Sequence, residues 1–173
     1  LPPGIVISEG AQAVHKITPQ TCVTQGRFAQ SVLKEFMDDY QAADVAVCHN
    51  VAFDATVLRA ELMRLPTTRR NACMLATFER GTRECTYCTM ENTMDYCKLR
   101  MPHSFFATDR PIVYKWPKLE ELHEKLFGCR PAQLHDALND AMVTARCYLK
   151  YTQNVDLCVI NAAFHEQYKK LIT

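Results

Sequence analysis

Val45-Ala46-Val47-Cys48-His49-Asn50-Val51-Ala52-Phe53-Asp54 is a short apolar run that breaks into a polar pair and then into a helical pattern. An apolar run of this length beside helical segments reads as a strand buried on both faces, in a sheet covered by helices. His49 and Asn50 then stand at its carboxyl end, where open α/β sheets gather their chemistry. Leu58, Leu62 and Leu65 carry a helix from about Phe53 to Arg64, ended by Pro66, with Asp54 in its first turn. The stretch therefore predicts an α/β fold and places a carboxylate just beyond a strand end.

Working outward, Phe28, Val32, Leu33, Phe36, Met37 and Tyr40 recur at helical steps and predict a helix from Arg27 to Tyr40. Ahead of it, Ile5-Val6-Ile7 reads as an edge strand. Ala13 to Pro19 reads as a connection, with Thr18 before Pro19 offering a helix or turn start. Downstream, a helix is expected from Pro117 through Leu119, Leu122 and Leu126, stopping at Gly128. Another runs from about Asp136 to Tyr151, and the stretch from Val155 to Ile172 is a further helix or a tail. Between Pro66 and Trp116 there is no long periodic signal, only short candidates such as Cys73-Met74-Leu75-Ala76 and Cys88-Thr89-Met90. A connection of that length is usually functional.

The 173 residues suit one domain, and 48% hydrophobic with 23% charged residues excludes disorder and fibrous repeats. No apolar stretch approaches the ~20 residues of a membrane span, and no secretory signal opens the chain, so a cytoplasmic, membrane-free protein is expected. The nine cysteines, several among apolar neighbours, read as reduced thiols. A net charge of +1 conceals a division. From Arg64 to Lys118 ten Lys or Arg face five acids, whereas the remainder carries ten against fourteen. Interleaved with the basic stretch are Tyr87, Tyr96, Phe105, Phe106, Tyr114 and Trp116, the mixture that binds single-stranded nucleic acid. A solvated insertion over 66–117 with a few core aromatics accounts for that stretch equally well.

A second element, His135-Asp136-Ala137-Leu138-Asn139-Asp140, pairs with the first. Five residues on an ideal helix turn through ~140°, so His135 and Asp140 do not share a helical face. With His135 on the approach loop and Asp140 one turn inside, both can converge ahead of the helix N-terminus, whose partial positive charge favours an anion. Carboxylates at Asp54 and Asp140 are hard oxygen ligands suited to Mg²⁺ or Mn²⁺. Two such ions beside a histidine base suit phosphodiester hydrolysis.

His-Asn-x-x-Phe-Asp followed by His-x4-Asp resembles the second and third motifs of the DEDDh branch of the DnaQ-like 3′-to-5′ exonucleases. Glu9-Gly10-Ala11-x-x-Val14-His15-Lys16-Ile17-Thr18 and Lys118-Leu119-x-x-Leu122 are similar to neighbouring family segments, and the likeness runs over about residues 5 to 150. It implies a ribonuclease H-like mixed sheet flanked by helices, with residues 151–173 as a C-terminal helix or tail. It makes Asp54 and Asp140 metal ligands and His135 the general base, since the tyrosine branch would need tyrosine where this chain has Asp136. His49, Asn50 and Phe53 become substrate-side residues that shape the second motif, Phe53 packing the core more than touching substrate and Asn50 fixing the loop or the nucleotide. The partners implied are 3′ ends of single-stranded DNA or RNA, and a DNA polymerase in proofreading members.

The departure lies at the start. The family's first motif, Asp-x-Glu on the opening strand, has no counterpart here, because Glu9 is the only acid before Glu35 and no aspartate precedes Asp38. A chain opening on Leu1 is thus expected to lack N-terminal strands, on the order of 25–45 residues. It is also expected to bind metal poorly and to be nearly inactive. Two alternatives stay open: a non-catalytic, nuclease-like interaction domain, and a zinc-binding module using Cys73, Cys85, Cys88 and Cys97.

Overall fold

A computed structural model describes residues 6–100 and 114–172. Two short helices lead in, α1 (Glu9–His15) and α2 (Pro19–Gln25). The Ser8 hydroxyl caps the first by accepting from the Ala11 N–H, and Thr18 caps the second by accepting from the Thr21 N–H. The expected connection over Ala13 to Pro19 thus shrinks to residues 16–18, between two helices. The expected edge strand is absent at Val6 and Ile7, where Val6 is exposed and the Ser8 cap starts a helix at once; Ile5 lies outside the described residues.

Helix α3 (Ala29–Ala42) buries Leu33 and Met37 and half-buries Phe36 and Tyr40. Phe28, read as part of the inward stripe, is the N-cap residue and is 89% exposed. Strand β1 (Ala46–Cys48) and helix α4 (Val51–Arg64) follow, the helix starting two residues early; the strand, expected to be buried on both faces, is only partly buried, and Val45 stands exposed just outside it.

The segment without periodic signal holds a 16-residue helix, α5 (Arg69–Glu84), so Cys73-Met74-Leu75-Ala76 is helical. Thr68 caps it through the Asn71 N–H, and the Asn71 side-chain amide donates to the Pro66 carbonyl at 2.7 Å. Its inner face is thin, with Met74 and Leu75 partly buried and Phe78 buried against α3 and α4. A side chain at Gly81 would meet the Tyr40 ring at 2.8 Å, so glycine there lets α5 approach α3.

Strand β2 (Thr86–Cys88) lies parallel to β1 in the register Ala46↔Thr86, Val47↔Tyr87 and Cys48↔Cys88. The other candidate strand, Cys88-Thr89-Met90, is its last residue running into α6 (Thr89–Asn92). Then come α7 (Met94–Cys97), α8 (Leu119–Phe127), α9 (Ala137–Gln153), α10 (Leu157–Ile160) and α11 (Ala162–Ile172). Gly128 stops α8 at φ 77°, the left-handed conformation anticipated for it. Among the described residues the sheet is this parallel pair alone, in a mostly helical α/β fold, so a mixed strand order is not displayed. No helix among them is long and apolar enough to cross a membrane.

Apolar burial falls into two clusters. One joins Leu33, Met37, Leu62 and Phe78 from α3, α4 and α5. The other joins Cys97, Leu122, Met142, Val143, Cys147 and Tyr168 from α7, α8, α9 and α11. The final stretch is therefore no loose tail: Tyr168 is 1% exposed, and its hydroxyl donates to His123 Nε2 at 2.6 Å.

Candidate active site

The end of β1 is held by its histidine. His49 Nε2 lies 3.0 Å from the Pro117 carbonyl, which can only accept, so Nε2 carries the proton. Nδ1 of the neutral ring then accepts from the Thr89 hydroxyl at 2.9 Å. That hydroxyl also lies 3.1 Å from the Cys48 carbonyl, so a single proton is shared between two acceptors. Burial holds the His49 pKa below its ordinary value and keeps the ring neutral. His49 thereby ties β1 to the start of α6 and to the loop before α8.

Asn50 follows with φ 80° and ψ 62°, a left-handed conformation that asparagine tolerates better than most residues. This turn starts α4 abruptly and brings Asp54, in its first turn, back beneath the strand end. Asp54 is partly buried, and burial raises its pKa from its ordinary value. The Cys48 thiol donates a hydrogen bond to it; burial, with the Asp54 charge adding, pushes that thiol up to about 11.

The second element uses the same device. His135 has φ 76°, and Asp136 caps α9 by accepting from the N–H groups of Leu138 and Asn139. Asp140 reaches back one turn so that its carboxylate accepts the His135 backbone N–H at 3.1 Å. Asn139 donates to the Gln133 carbonyl at 2.9 Å. With its backbone pinned by the helix it precedes, the exposed His135 ring is presented to solvent.

His49, Asn50, Phe53, Asp54, His135 and Asp140 all line one cleft of about 740 Å³. The charge of Asp140 reaches His49 and favours its protonated form, which places the second carboxylate near the β1 end. One expectation is corrected: Phe53 does not pack the core but stands 65% exposed at the cleft, because the Asp54 side of α4 is the one turned inward. Trp116, Pro117, Lys118 and Thr144 also line the cleft and were not read as site residues. Thr89 joins them through His49. Trp116 is one of the aromatics of the basic stretch, and Pro117 and Lys118 belong to a predicted helix start and a family-like segment, but none of these signals points to the cleft.

The aromatics of that stretch have different surroundings. Tyr87 packs edge-on against Tyr148 at 4.9 Å and Tyr96 against Tyr151 at 5.3 Å, whereas Trp116 is 58% exposed. Phe105 and Phe106 lie outside the described residues.

Asp54 and Asp140 are carboxylates of the kind that hold hard divalent cations. Among the described residues, however, no three His, Cys, Asp or Glu side chains come together to hold a metal ion. Two carboxylates do not neutralise two divalent ions, so these residues alone do not fit a two-ion site. Cys73 and Cys85 are exposed, Cys88 and Cys97 are buried, and among the described residues these four form no zinc site.

A histidine and two carboxylates gathered at the carboxyl end of a strand, in an α/β frame, are the equipment of a hydrolase. The family model described as Exonuclease matches residues 3–148. The chain belongs to that family, the DnaQ-like DEDDh exonucleases of the ribonuclease H-like superfamily, whose members generally use divalent metal ions. No curated protein and no solved structure matches it.

Proposed function

We propose that the chain is a 3′-to-5′ exonuclease domain that hydrolyses phosphodiester bonds at single-stranded DNA ends, or RNA ends. In this reading the parallel pair belongs to a ribonuclease H-like mixed sheet. The observation that carries it is the convergence of His49, Asn50, Phe53, Asp54, His135 and Asp140, drawn from two distant motifs, on one cleft.

His135 is the general base. Its exposed ring can reach a water in the cleft, and imidazole is the side chain whose proton affinity suits that transfer near neutral pH. Asp140 positions it by holding its backbone N–H. Asp54 and Asp140 would hold Mg²⁺ or Mn²⁺, which would supply charge neutralisation at the phosphate. A two-ion reaction needs two more carboxylates than these, so the 173-residue chain is expected to bind ions weakly and turn over slowly.

Digestion of single-stranded oligonucleotides labelled at either end, in Mn²⁺, tests the reading. Mononucleotides released from the 3′ end, and lost in both Asp54→Asn and Asp140→Asn, are expected. Internal cleavage, or equal rates in wild type and variants, overturns it. The carboxylate shortage favours a second reading, a non-catalytic interaction domain on the same fold. Tight oligonucleotide binding with no metal-dependent release of nucleotides supports that alternative.

A further inference from the structure

Trp116 is a large apolar side chain left 58% exposed, and it lines the same cleft as Asp54, His135 and Asp140. Its backbone is pinned on both sides. The Lys115 N–H donates to the Leu99 carbonyl at 2.8 Å, and Arg100 and Tyr114 form an antiparallel bridge just before it. On the other side Pro117 is buried, and its carbonyl accepts the His49 Nε2–H. Lys118 follows on the cleft wall, its own N–H held by Glu121 at 2.8 Å. Leaving an indole in water on a fixed backbone forgoes the burial a tryptophan usually gains. The cost of holding it in place has already been met by the fold, so a flat ligand binding there need not order the chain.

We propose that Trp116 is a stacking platform for a nucleobase of single-stranded nucleic acid lying in the cleft. The inference rests on the exonuclease reading and adds to it a binding residue that lies outside both motifs. A nucleobase fits the position because its π-face matches the indole and its phosphates can meet Lys118 on the same wall. The concave setting beside the catalytic carboxylates favours a nucleic acid strand over a flat protein surface.

Trp116 is the only tryptophan in the chain, so its emission reports on the position directly. The 173-residue protein is titrated with oligothymidylate in EDTA, which prevents hydrolysis, while the anisotropy of a labelled oligonucleotide measures binding independently. Quenching by oligothymidylate, and none by an abasic strand of equal length, is expected. Trp116→Leu should bind about 5- to 150-fold more weakly and Trp116→Phe should retain most of the affinity. Binding seen by anisotropy without quenching, or equal affinity in the Leu and Phe variants, overturns the platform and leaves the exonuclease reading standing. Absence of any binding overturns both. A concentration-dependent blue shift without nucleic acid also overturns it, in favour of self-association through this face.

Discussion

His135 and His123 place the same side chain in opposite circumstances. His123, on α8, is 0% exposed and has both nitrogens engaged: Nδ1–H donates to the Cys129 carbonyl at 2.7 Å, and Nε2 accepts from Tyr168 at 2.6 Å. Around it Arg146 pairs bidentately with Asp156 at 2.8 and 2.7 Å and lies 3.8 Å over the Phe127 ring. His135 is exposed on a left-handed turn and, among the described residues, is held by its backbone alone. The knot around His123 spends its polar groups on one another, which stabilises the fold and leaves nothing over for a ligand. The cleft engages His49, Asp54 and Asp140 in part but, among the described residues, leaves the His135 ring exposed, which is what a proton-accepting group requires.

If the two regions divide in this way, mutations should separate activity from stability. The largest effect is expected for His135→Gln, which should lower the digestion rate about 10²–10⁴-fold. Its melting temperature should move by less than about 2 °C. A large drop in melting temperature would break the comparison. In the second core, Leu122→Ala should cost about 2–5 kcal/mol in denaturant unfolding, since Leu122 is fully buried. Asp156→Asn should cost about 2–3 kcal/mol, because it strands the largely buried Arg146 charge. In neither case should activity per folded molecule change.

Acid should sharpen the contrast. Burial holds His123 below its ordinary pKa, so the unfolded chain takes up its proton first. The stability this group contributes is therefore complete above about pH 6.5 and lost as pH falls below it. The Arg146 guanidinium lowers the Asp156 pKa, so a second loss follows as pH falls from about 4 towards that lowered value. His123→Gln should flatten the first decline in melts between pH 7 and 5. His49, also held low by burial, leaves a residual slope. The smallest effect concerns backbone shape. Asn50→Ala should cost about 1–2 kcal/mol for its positive φ and Asn50→Gly much less, read in the same unfolding titration.

The motifs were legible because strand ends, helix starts and charged spacing are local properties. The α3, α4, α8 and α9 helices were legible from their apolar stripes, and Gly128 from its terminating role. Helix α5 was not, because its buried face amounts to little more than Met74, Leu75 and Phe78 among six charged residues. Its signals were Thr68 as a cap and the spacing from Asn71 to Phe78, which are weak alone. The His123 knot was hidden because its members come from four separate helices or their flanks. The same holds for the His49 clamp, whose partners Thr89 and Pro117 lie 40 and 68 residues away. Nor does sequence tell a tyrosine packed edge-on, such as Tyr87, from an exposed tryptophan such as Trp116.

The two apolar clusters have a consequence for how the molecule opens. Asp54 is carried by a helix of the first and Asp140 by a helix of the second. The separation of the carboxylates is therefore a reading of how the two halves sit together. Amide hydrogen exchange should resolve each half as its own cooperative unit. A ligand that grips both carboxylates would fuse the two protection patterns into one, making the cleft the joint through which binding stiffens the whole chain.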